Sequence, residues 1–357
     1  MPHLAKWTDL HARLHRAIRQ RHLLEPRQCL LIAVSGGQDS LCLMQLLIDL
    51  QPKWNWHLAI AHCNHRWHPE EDHVAEYVAT LAQQRHLPFY SSTSAQIDRR
   101  EAAARQWRYQ ELTQIAQNHG YTAVVTAHTM SDRAETVLHN LIRGSGTDGL
   151  QALDWQRNLA PRVMLVRPLL DITRAETERF CQSRHLAICV DPFNQDPRYT
   201  RSRIRHDLIP HLKAQFNPQI ELALHQTAEI LRAEADYLST QADAVFQRAI
   251  APREPPLFEP QESSDEPLNH KLTPPLQINR IVLQTVPLAL QRRVMRRCLH
   301  AILPSAPNFD HIEKLTALIS APHRTQSDPF PGGAIARVDQ DWIIFEDLQQ
   351  TDINRRS

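Results

Sequence analysis

The sequence has no paired cysteine motif, no long apolar run and no excess of one charge, and each absence excludes a class of protein. None of its six cysteines stand three residues apart, so there is no C-x-x-C motif for zinc, an iron–sulfur cluster or a redox pair. The densest apolar run, Cys29–Val34, has six residues, whereas a membrane span needs about 18 to 20. The amino-terminal residues lack the pattern of a signal peptide. We therefore expect a cytoplasmic protein.

Neither sign of charge dominates the chain. Forty Lys and Arg residues against 39 Asp and Glu residues give a net charge of +1. This balance excludes a globally basic nucleic-acid binder but is compatible with a local basic patch. The 357 residues, 42% of them hydrophobic, predict two or three packed domains rather than a disordered chain.

Glycine is scarce, and its placement is informative. Of the eight glycines, Gly36–Gly37 and the trio Gly144, Gly146 and Gly149 form two tight groups. Such groups mark places where the backbone needs a positive φ or approaches a ligand closely. The pair follows the apolar run Cys29–Val34, typical of a parallel strand buried on both faces, and precedes an apolar helical pattern at Leu41–Leu50. The sequence thus predicts a strand, a tight loop and a helix.

The same alternation continues along the chain. It predicts three further strands at His57–His62, Pro88–Tyr90 and Tyr121–Ala127, and three helices at Glu71–Arg85, Arg100–Asn118 and Ser131–Arg143. Alternating strands and helices indicate an α/β fold with a doubly wound parallel sheet. Ligands in such sheets bind beyond the carboxyl ends of the strands.

The pattern changes after residue 215, where a second, smaller and mostly helical domain is expected. The predicted elements are two helical regions and two short strands: Asn217–Ile250, Leu276–Leu318, Ala334–Val338 and Trp342–Phe345. A Pro-rich acidic stretch at 251–270 is predicted to be a loop. We therefore place the domains at 1–215 and 216–357.

The loop between the first strand and helix carries the residue types of a phosphate site. Its members are Ser35, Gly36, Gly37, Gln38, Asp39 and Ser40. Paired glycines let backbone amides converge on phosphate oxygens, and a helix N-terminus adds partial positive charge. Asp39 is placed to hold Mg²⁺ beside the phosphates. The loop lacks the lysine of G-x-x-x-x-G-K-[ST]. An ordinary capped turn would be favoured for the bare S-G-G motif, but the apolar strand before it and the helix after it favour the phosphate site.

The loop resembles the PP-loop, S-G-G-x-D-S, of the ATP pyrophosphatase (adenine nucleotide alpha hydrolase-like) superfamily. Further segments resemble the tRNA(Ile)-lysidine synthase family, densely over residues 25–215 and loosely over 288–345. These segments are His62–Arg66, Glu101–Tyr109, Thr126–Leu138, Arg143–Leu150, Arg167–Leu170, Asp191–Asn194 and Tyr199–His206.

The resemblance implies an ATP- and Mg²⁺-dependent ligase. The cytidine of a CAU anticodon in isoleucine tRNA is adenylated at its C2 oxygen, and the ε-amine of L-lysine then displaces AMP. The resemblance further implies that Asp132 and Glu135 hold lysine and that His128 belongs to the same site. Asp132 and Glu135 are three residues apart on one helix start. Without the resemblance, two acids there would simply complement the helix dipole.

Two sets of arginines are candidates for contacting tRNA phosphates. They are Arg105 and Arg108, and then Arg201, Arg203 and Arg205, of which Arg201 and Arg205 would share a helix face. The alternative is that these arginines lie on solvated helix faces. A nearby group, His62, Cys63, His65, His68 and His73, fits no common zinc-finger spacing.

Three positions depart from the family pattern, which usually has His-His and Asp-Asp-Gln where this chain has Thr129, Ser131 and Arg133. One alternative is a 2-thiocytidine synthetase, which would need the missing C-x-x-C pair. A second is an amide-forming PP-loop ligase, which would leave the arginine segment unused. A third is a nucleotide-gated RNA-binding module without catalysis. A homodimer is left open, and no membrane partner is expected.

Overall fold

The computed structural model describes residues 7–67, 71–95, 101–189, 198–250 and 276–347. The chain divides into two compact units, 1–232 and 233–357. This division lies inside a long helix, Ile220–Ala249, and the domain boundary at 215/216 stays a prediction. The Pro-rich stretch 251–270, the segment Asp191–Asn194 and His68 lie outside the described residues.

The first unit contains a six-stranded sheet of order β3-β2-β1-β4-β6-β5. The strands are β1 (Cys29–Ala33), β2 (His57–Asn64), β3 (Phe89–Thr93), β4 (Ala123–Val125), β5 (Gln156–Ala160) and β6 (Val163–Val166). All neighbours run parallel except β5 and β6, which pair antiparallel. The predicted α/β class with a doubly wound, mostly parallel sheet is thus confirmed.

Helices cover this sheet and extend beyond it. They are α1 (Asp9–Gln20), α2 (Gln38–Trp54), α3 (Glu71–Gln84), α4 (Glu101–His119), α5 (Met130–Ile142), α6 (Thr147–Leu150), α7 (Arg174–Ser183), α8 (Thr200–Arg203), α9 (Ile209–Gln215) and α10 (Ile220–Ala249). A π-helical turn, Ile204–Leu208, joins α8 to α9. Among the described residues, no helix is long and apolar enough to span a membrane.

The apolar runs form the core that positions the site. Leu30, Leu31 and Ile32 of β1 are fully buried, as are most residues of the first half of α2. Because β1 lies in the middle of the sheet, both its faces are covered, and this explains why its sequence is continuously apolar. The loop after β1 therefore stands on the most rigid part of the unit.

The β5–β6 hairpin and α7 were not predicted from the sequence. Strand β5 lies at the edge of the sheet and is largely exposed, so its sequence has no buried apolar pattern. Helix α7 begins with a capping box, in which Thr173 accepts from the Glu176 amide and Glu176 accepts from the Thr173 amide. These elements place Arg167 and Arg174 next to the carboxyl edge of the sheet.

Among its described residues, the second unit contains the C-terminal part of α10, three further helices and a three-stranded sheet of order β7-β9-β8. Its elements are β7 (Gln277–Asn279), α11 (Arg280–Gln284), α12 (Leu288–Ile302), α13 (Phe309–Ala317), β8 (Ala334–Asp339) and β9 (Trp342–Asp347). The two predicted strands are confirmed. The helical prediction was wrong at Gln277–Asn279, which pairs antiparallel with β9 and buries Ile278 in the core of this unit.

Candidate active site

The loop between β1 and α2 forms a compact turn closed by its own hydroxyls. Gly36 has φ +83°, and a Cβ there would come within 2.7 Å of the Val74 side chain. The Ser40 hydroxyl donates to the Gly37 carbonyl at 2.8 Å and accepts from the Ser35 amide at 3.2 Å. Gly37 is the N-cap residue of the 17-residue helix α2. The arrangement directs the helix N-terminus at the carboxyl edge, where an anion is favoured.

Asp39, in the first turn of α2, contacts the start of α7. Its two carboxylate oxygens accept from the Thr177 hydroxyl and from Arg174 Nε, the latter at 3.2 Å. The neighbouring Gln38 amide donates to the Arg174 carbonyl at 2.9 Å. Burial raises the pKa of Asp39, and Arg174 and Thr177 offset this only in part. Helices α2 and α7 thereby fix the carboxylate next to the loop.

Asp132 and Glu135 lie side by side at the start of α5, with side chains 18% and 4% exposed. Arg205 spans both, with Nε on Glu135 Oε1 at 2.7 Å and Nη2 on Asp132 Oδ1 at 3.4 Å. Burial alone would raise the pKa of Asp132, but Arg174, His128 and the Thr129 amide lower it to about 2. Asp132 is therefore ionised, and both acids already contact a cation.

Arg174 joins all three predicted carboxylates. Its Nε, Nη2 and Nη1 donate to Asp39 at 3.2 Å, Asp132 at 2.6 Å and Glu135 at 3.1 Å. Burial acts to lower the pKa of Arg174, but the three acids outweigh it and raise that pKa. The residues predicted for Mg²⁺ and for lysine thus converge on a single guanidinium.

His128 lies just past β4, beside the acid pair. Its Nδ1 is 3.0 Å from the Thr126 hydroxyl. Burial and the nearby Arg167 lower the pKa of His128 to about 3, with further contributions from Arg105 and Arg108. The imidazole is therefore neutral at physiological pH, and three arginines of the sheet edge are close to it.

The predicted phosphate-binding arginines occupy different surroundings. Arg105 lies over the Tyr109 ring at 5.1 Å, and Arg108 donates to His65 Nε2 from Nη2 at 3.1 Å. Arg203 is exposed and contacts Thr200 in its own helix. Arg201 is half-buried, and its charge reaches Arg105. Arg205, by contrast, lies on the acid pair in this structure. Contact of these five with tRNA stays a prediction.

The three departures from the family pattern each make a structural contact. Thr129 is the N-cap of α5, where its hydroxyl donates to Asp132 Oδ2 at 2.8 Å and accepts from the Asp132 amide at 3.3 Å. The Ser131 hydroxyl accepts from the Arg174 amide at 3.1 Å. Arg133 is fully buried and pairs with Glu229. The substituted residues therefore hold the acid-bearing helix in place.

Sequence reasoning missed Arg174 and Thr177, which contact Asp39 across 135 and 138 residues of chain. No local pattern relates residues so distant. The capping box Thr173–Glu176 was the one available signal, since it marks a helix start. The role of Glu229 as partner of a buried arginine was also missed.

Comparisons with known proteins agree with this geometry. A family profile described as a PP-loop domain matches residues 8–212, more than half of the chain, and a TilS substrate binding domain matches residues 279–343. A tRNA(Ile)-lysidine synthase from Nostoc sp. is 56% identical over 95% of this chain and 97% of its own length. The chain belongs to the tRNA(Ile)-lysidine synthase family.

More distant relatives extend the same likeness. A family member from Synechocystis sp. is 44% identical over 95% of this chain and 98% of its own length. A chloroplast member from Zygnema circumcarinatum is 33% identical over 85% of this chain and 78% of its own length. Among solved structures, a U34-tRNA thiolase from Methanococcus maripaludis has a TM-score of 0.53 at 15% identity, covering 62% of this chain and 78% of that one, and shares the fold. The predicted family and PP-loop class are thus confirmed: this member of the tRNA(Ile)-lysidine synthase family is a ligase that uses ATP. Nothing in these comparisons favours the 2-thiocytidine or non-catalytic alternatives.

Proposed function

We propose that this lysidine synthase joins L-lysine to C2 of the anticodon cytidine of a CAU-bearing isoleucine tRNA. The cytidine C2 oxygen attacks the α-phosphate of ATP, and pyrophosphate leaves. The lysine ε-amine then attacks C2, loses a proton and expels AMP. A cytoplasmic location and a homodimer stay predictions.

One observation carries this proposal: three carboxylates meet at one cationic group beside the PP-loop. Asp39, Asp132 and Glu135 all contact Arg174, and Asp132 and Glu135 also contact Arg205. A pocket that holds two guanidinium groups has the charge to hold a substrate ammonium. An acid pair that served only the helix dipole would need no such partners.

The PP-loop supports the adenylation step by holding phosphates. The amides at the start of α2 and the hydroxyls of Ser35 and Ser40 can donate to phosphate oxygens. No group of three metal-ligating side chains occurs among the described residues, so Asp39 would hold Mg²⁺ together with the phosphates of ATP, a common arrangement for this ion. Bound there, Mg²⁺ would neutralise charge on the pyrophosphate leaving group.

Asp132 and Glu135 support the second step by positioning lysine. These carboxylates would hold lysine through its ε-ammonium and so fix the position of the substrate. The ε-ammonium must then lose its proton before it attacks, because only the neutral amine is a nucleophile. Movement of Arg174 off the acids would free both the lysine position and the Asp39 carboxylate. The guanidinium would then be available for an anionic phosphate.

The test is transfer of labelled lysine to RNA. Purified protein, Mg-ATP, radiolabelled lysine and an unmodified CAU isoleucine tRNA transcript are expected to give labelled RNA only when ATP is present. Asp132→Asn should reduce this label at least 100-fold, since it removes the charge that faces the ammonium.

Asp9→Asn is the matched control, because Asp9 also lies in the first turn of a helix but on the solvated start of α1. It should retain full labelling. Equal loss in both variants would mean that the acids serve only their helices. Absence of label with bound tRNA would refute the synthase proposal.

A further inference from the structure

Three tryptophans of the first unit, Trp7, Trp67 and Trp107, lie outside its hydrophobic core, and two of them lie close together. Trp54, Trp56 and Trp155 are buried core residues. Trp67 and Trp107 belong to none of the core clusters formed by the described residues. Both are half-buried rather than buried. Packing of the core therefore does not explain them.

These two rings meet at His65, immediately after the end of β2. The His65 ring centroid is 4.7 Å from that of Trp107, at 66°, and 5.3 Å from that of Trp67, at 34°. Arg108 adds a cation at the edge of the group, donating to His65 Nε2 from Nη2 at 3.1 Å and from Nε at 3.3 Å. We call Trp67, His65, Trp107 and Arg108 the aromatic platform.

The backbone beneath the platform is fixed by a side-chain turn. Asn64 accepts from the Arg66 amide at 2.8 Å and donates to Asp72 at 2.7 Å. Arg66 takes a positive φ of 54°, which this turn stabilises. His65 is therefore held in one orientation before any ligand arrives, which reduces the ordering cost of binding.

The platform lies at the edge of the sheet that carries the active site. Strands β1 and β2 are parallel neighbours, so the platform after β2 and the PP-loop after β1 share the carboxyl edge. His62 of β2 lies 2.8 Å from the carbonyl of Val34, the residue before the loop. The charge of Arg108 also reaches His128, beside the acid pair.

Half-buried aromatic rings beside an arginine at a tRNA-modifying site match the chemistry of unpaired RNA. Bases of single-stranded loops stack on aromatic side chains, and arginine binds the adjoining phosphate. Burial and Arg108 hold the pKa of His65 at about 4, so this ring is neutral and accepts the arginine hydrogen bond. Stacking requires no particular base, which suits a neighbour of the modified cytidine rather than the cytidine itself.

We propose that the aromatic platform stacks an unpaired base of the tRNA anticodon loop, and that Trp107 supplies the main stacking face. The proposal rests on the proposed function for the identity of the RNA. It assigns to this surface the task of holding the loop open while the cytidine enters the site.

The experiment compares Trp107→Leu, Trp107→Phe and Trp7→Leu for binding of the CAU isoleucine tRNA transcript. Trp7 is the matched control, since its ring also contacts histidine and lies near a lysine, but at the opposite end of α2. Loss of one stacked base should weaken the Kd roughly 5- to 150-fold in Trp107→Leu. Trp107→Phe should recover most of this affinity, and Trp7→Leu should change nothing.

Salt dependence separates stacking from charge. The slope of log Kd against log salt should be unchanged in Trp107→Leu, whereas Arg108→Gln should reduce it by about 0.7, the value for one single-strand phosphate contact. An unchanged Kd in Trp107→Leu overturns the proposal. A raised KM for ATP with an unchanged tRNA Kd also overturns it, because the platform would then serve the adenine of ATP.

A second measurement does not depend on the leucine variant folding. A 2-aminopurine probe placed at each anticodon-loop position in turn should be quenched by wild-type protein at one position, and Trp107→Phe should alter that quenching. No quenched position means no stacking. If wild-type protein attaches no lysine yet binds this tRNA through Trp107, the proposed function fails and the platform stands. Normal lysine attachment with Trp107-independent binding overturns the platform alone.

Discussion

Glu229→Gln should destabilise the first unit by about 3 to 5 kcal/mol, since it leaves a buried arginine without its counter-ion. The Arg133 side chain is fully buried and Glu229 is 24% exposed. Glu229 also accepts from Trp155 Nε1 at 2.8 Å and pairs with Arg21 at 2.9 Å. Arg133 Nε and Nη2 are buried with no hydrogen-bond partner among the described residues, so Glu229 is what compensates this charge.

The pKa of Glu229 gives an independent magnitude. Burial would raise this pKa, but Arg133, followed by Trp155 and Arg21, lowers it from 4.5 to about 2. That difference corresponds to about 3 kcal/mol at neutral pH, the lower end of the range expected for breaking a buried ion pair. Because the folded pKa is depressed, this stabilisation is complete above pH 4.5 and is lost as the pH falls towards 2.

Thermal unfolding followed by circular dichroism measures this destabilisation. For a unit of 232 residues it should lower the melting temperature by roughly 10 °C. The matched comparison is Arg133→Gln with Glu229→Gln, which removes both charges and restores glutamine, the family's usual residue. The double variant should lose less stability than Glu229→Gln alone. The reasoning is refuted if Glu229→Gln changes stability by less than about 0.5 kcal/mol, or if the double variant is the least stable.

Two further predictions concern the loop and the arginine that joins the acids. Gly36→Ala should weaken ATP binding at least tenfold, measured by calorimetry, because the added Cβ meets Val74 at 2.7 Å and φ is +83°; unchanged affinity would mean that the turn can shift freely. Arg174→Ala should lower the melting temperature, because three carboxylates lose a shared cation. Added lysine should raise the melting temperature of this variant by more than it raises that of the wild type. Arg179→Ala, an exposed position of the same helix, should do neither.

Much of the first unit follows from local sequence patterns. The apolar run at Cys29–Val34, the glycine pair and the following helix predict the loop and its place at the carboxyl edge, because a buried parallel strand needs apolar residues on both faces. The same alternation gives β2 and α5, and with them the position of Asp132. These features depend on residues close together in the chain.

The contacts within the site do not follow from local patterns. Arg174 reaches Asp39 and Asp132 only because α7 packs against α2 and begins beside the start of α5. Strand β5, which precedes α7, has no buried apolar pattern. The expectation that Arg201 and Arg205 share one helix face assumed a continuous α-helix. The π-helical turn Ile204–Leu208 interrupts that period, and Arg205 lies on the acids instead.

If lysine binds at the acid pocket as proposed, the arginines that already lie there make its entry an exchange of cations rather than the filling of an empty cavity. A lysine ammonium that replaces a guanidinium leaves the net charge of the pocket unchanged, so the affinity for lysine is a difference between two similar interactions. Such a difference is small and insensitive to ionic strength, whereas attraction of the tRNA backbone falls steeply with salt. Under the proposed function, ionic conditions would therefore govern when the enzyme holds RNA, and the free lysine concentration would govern how often the pocket is loaded.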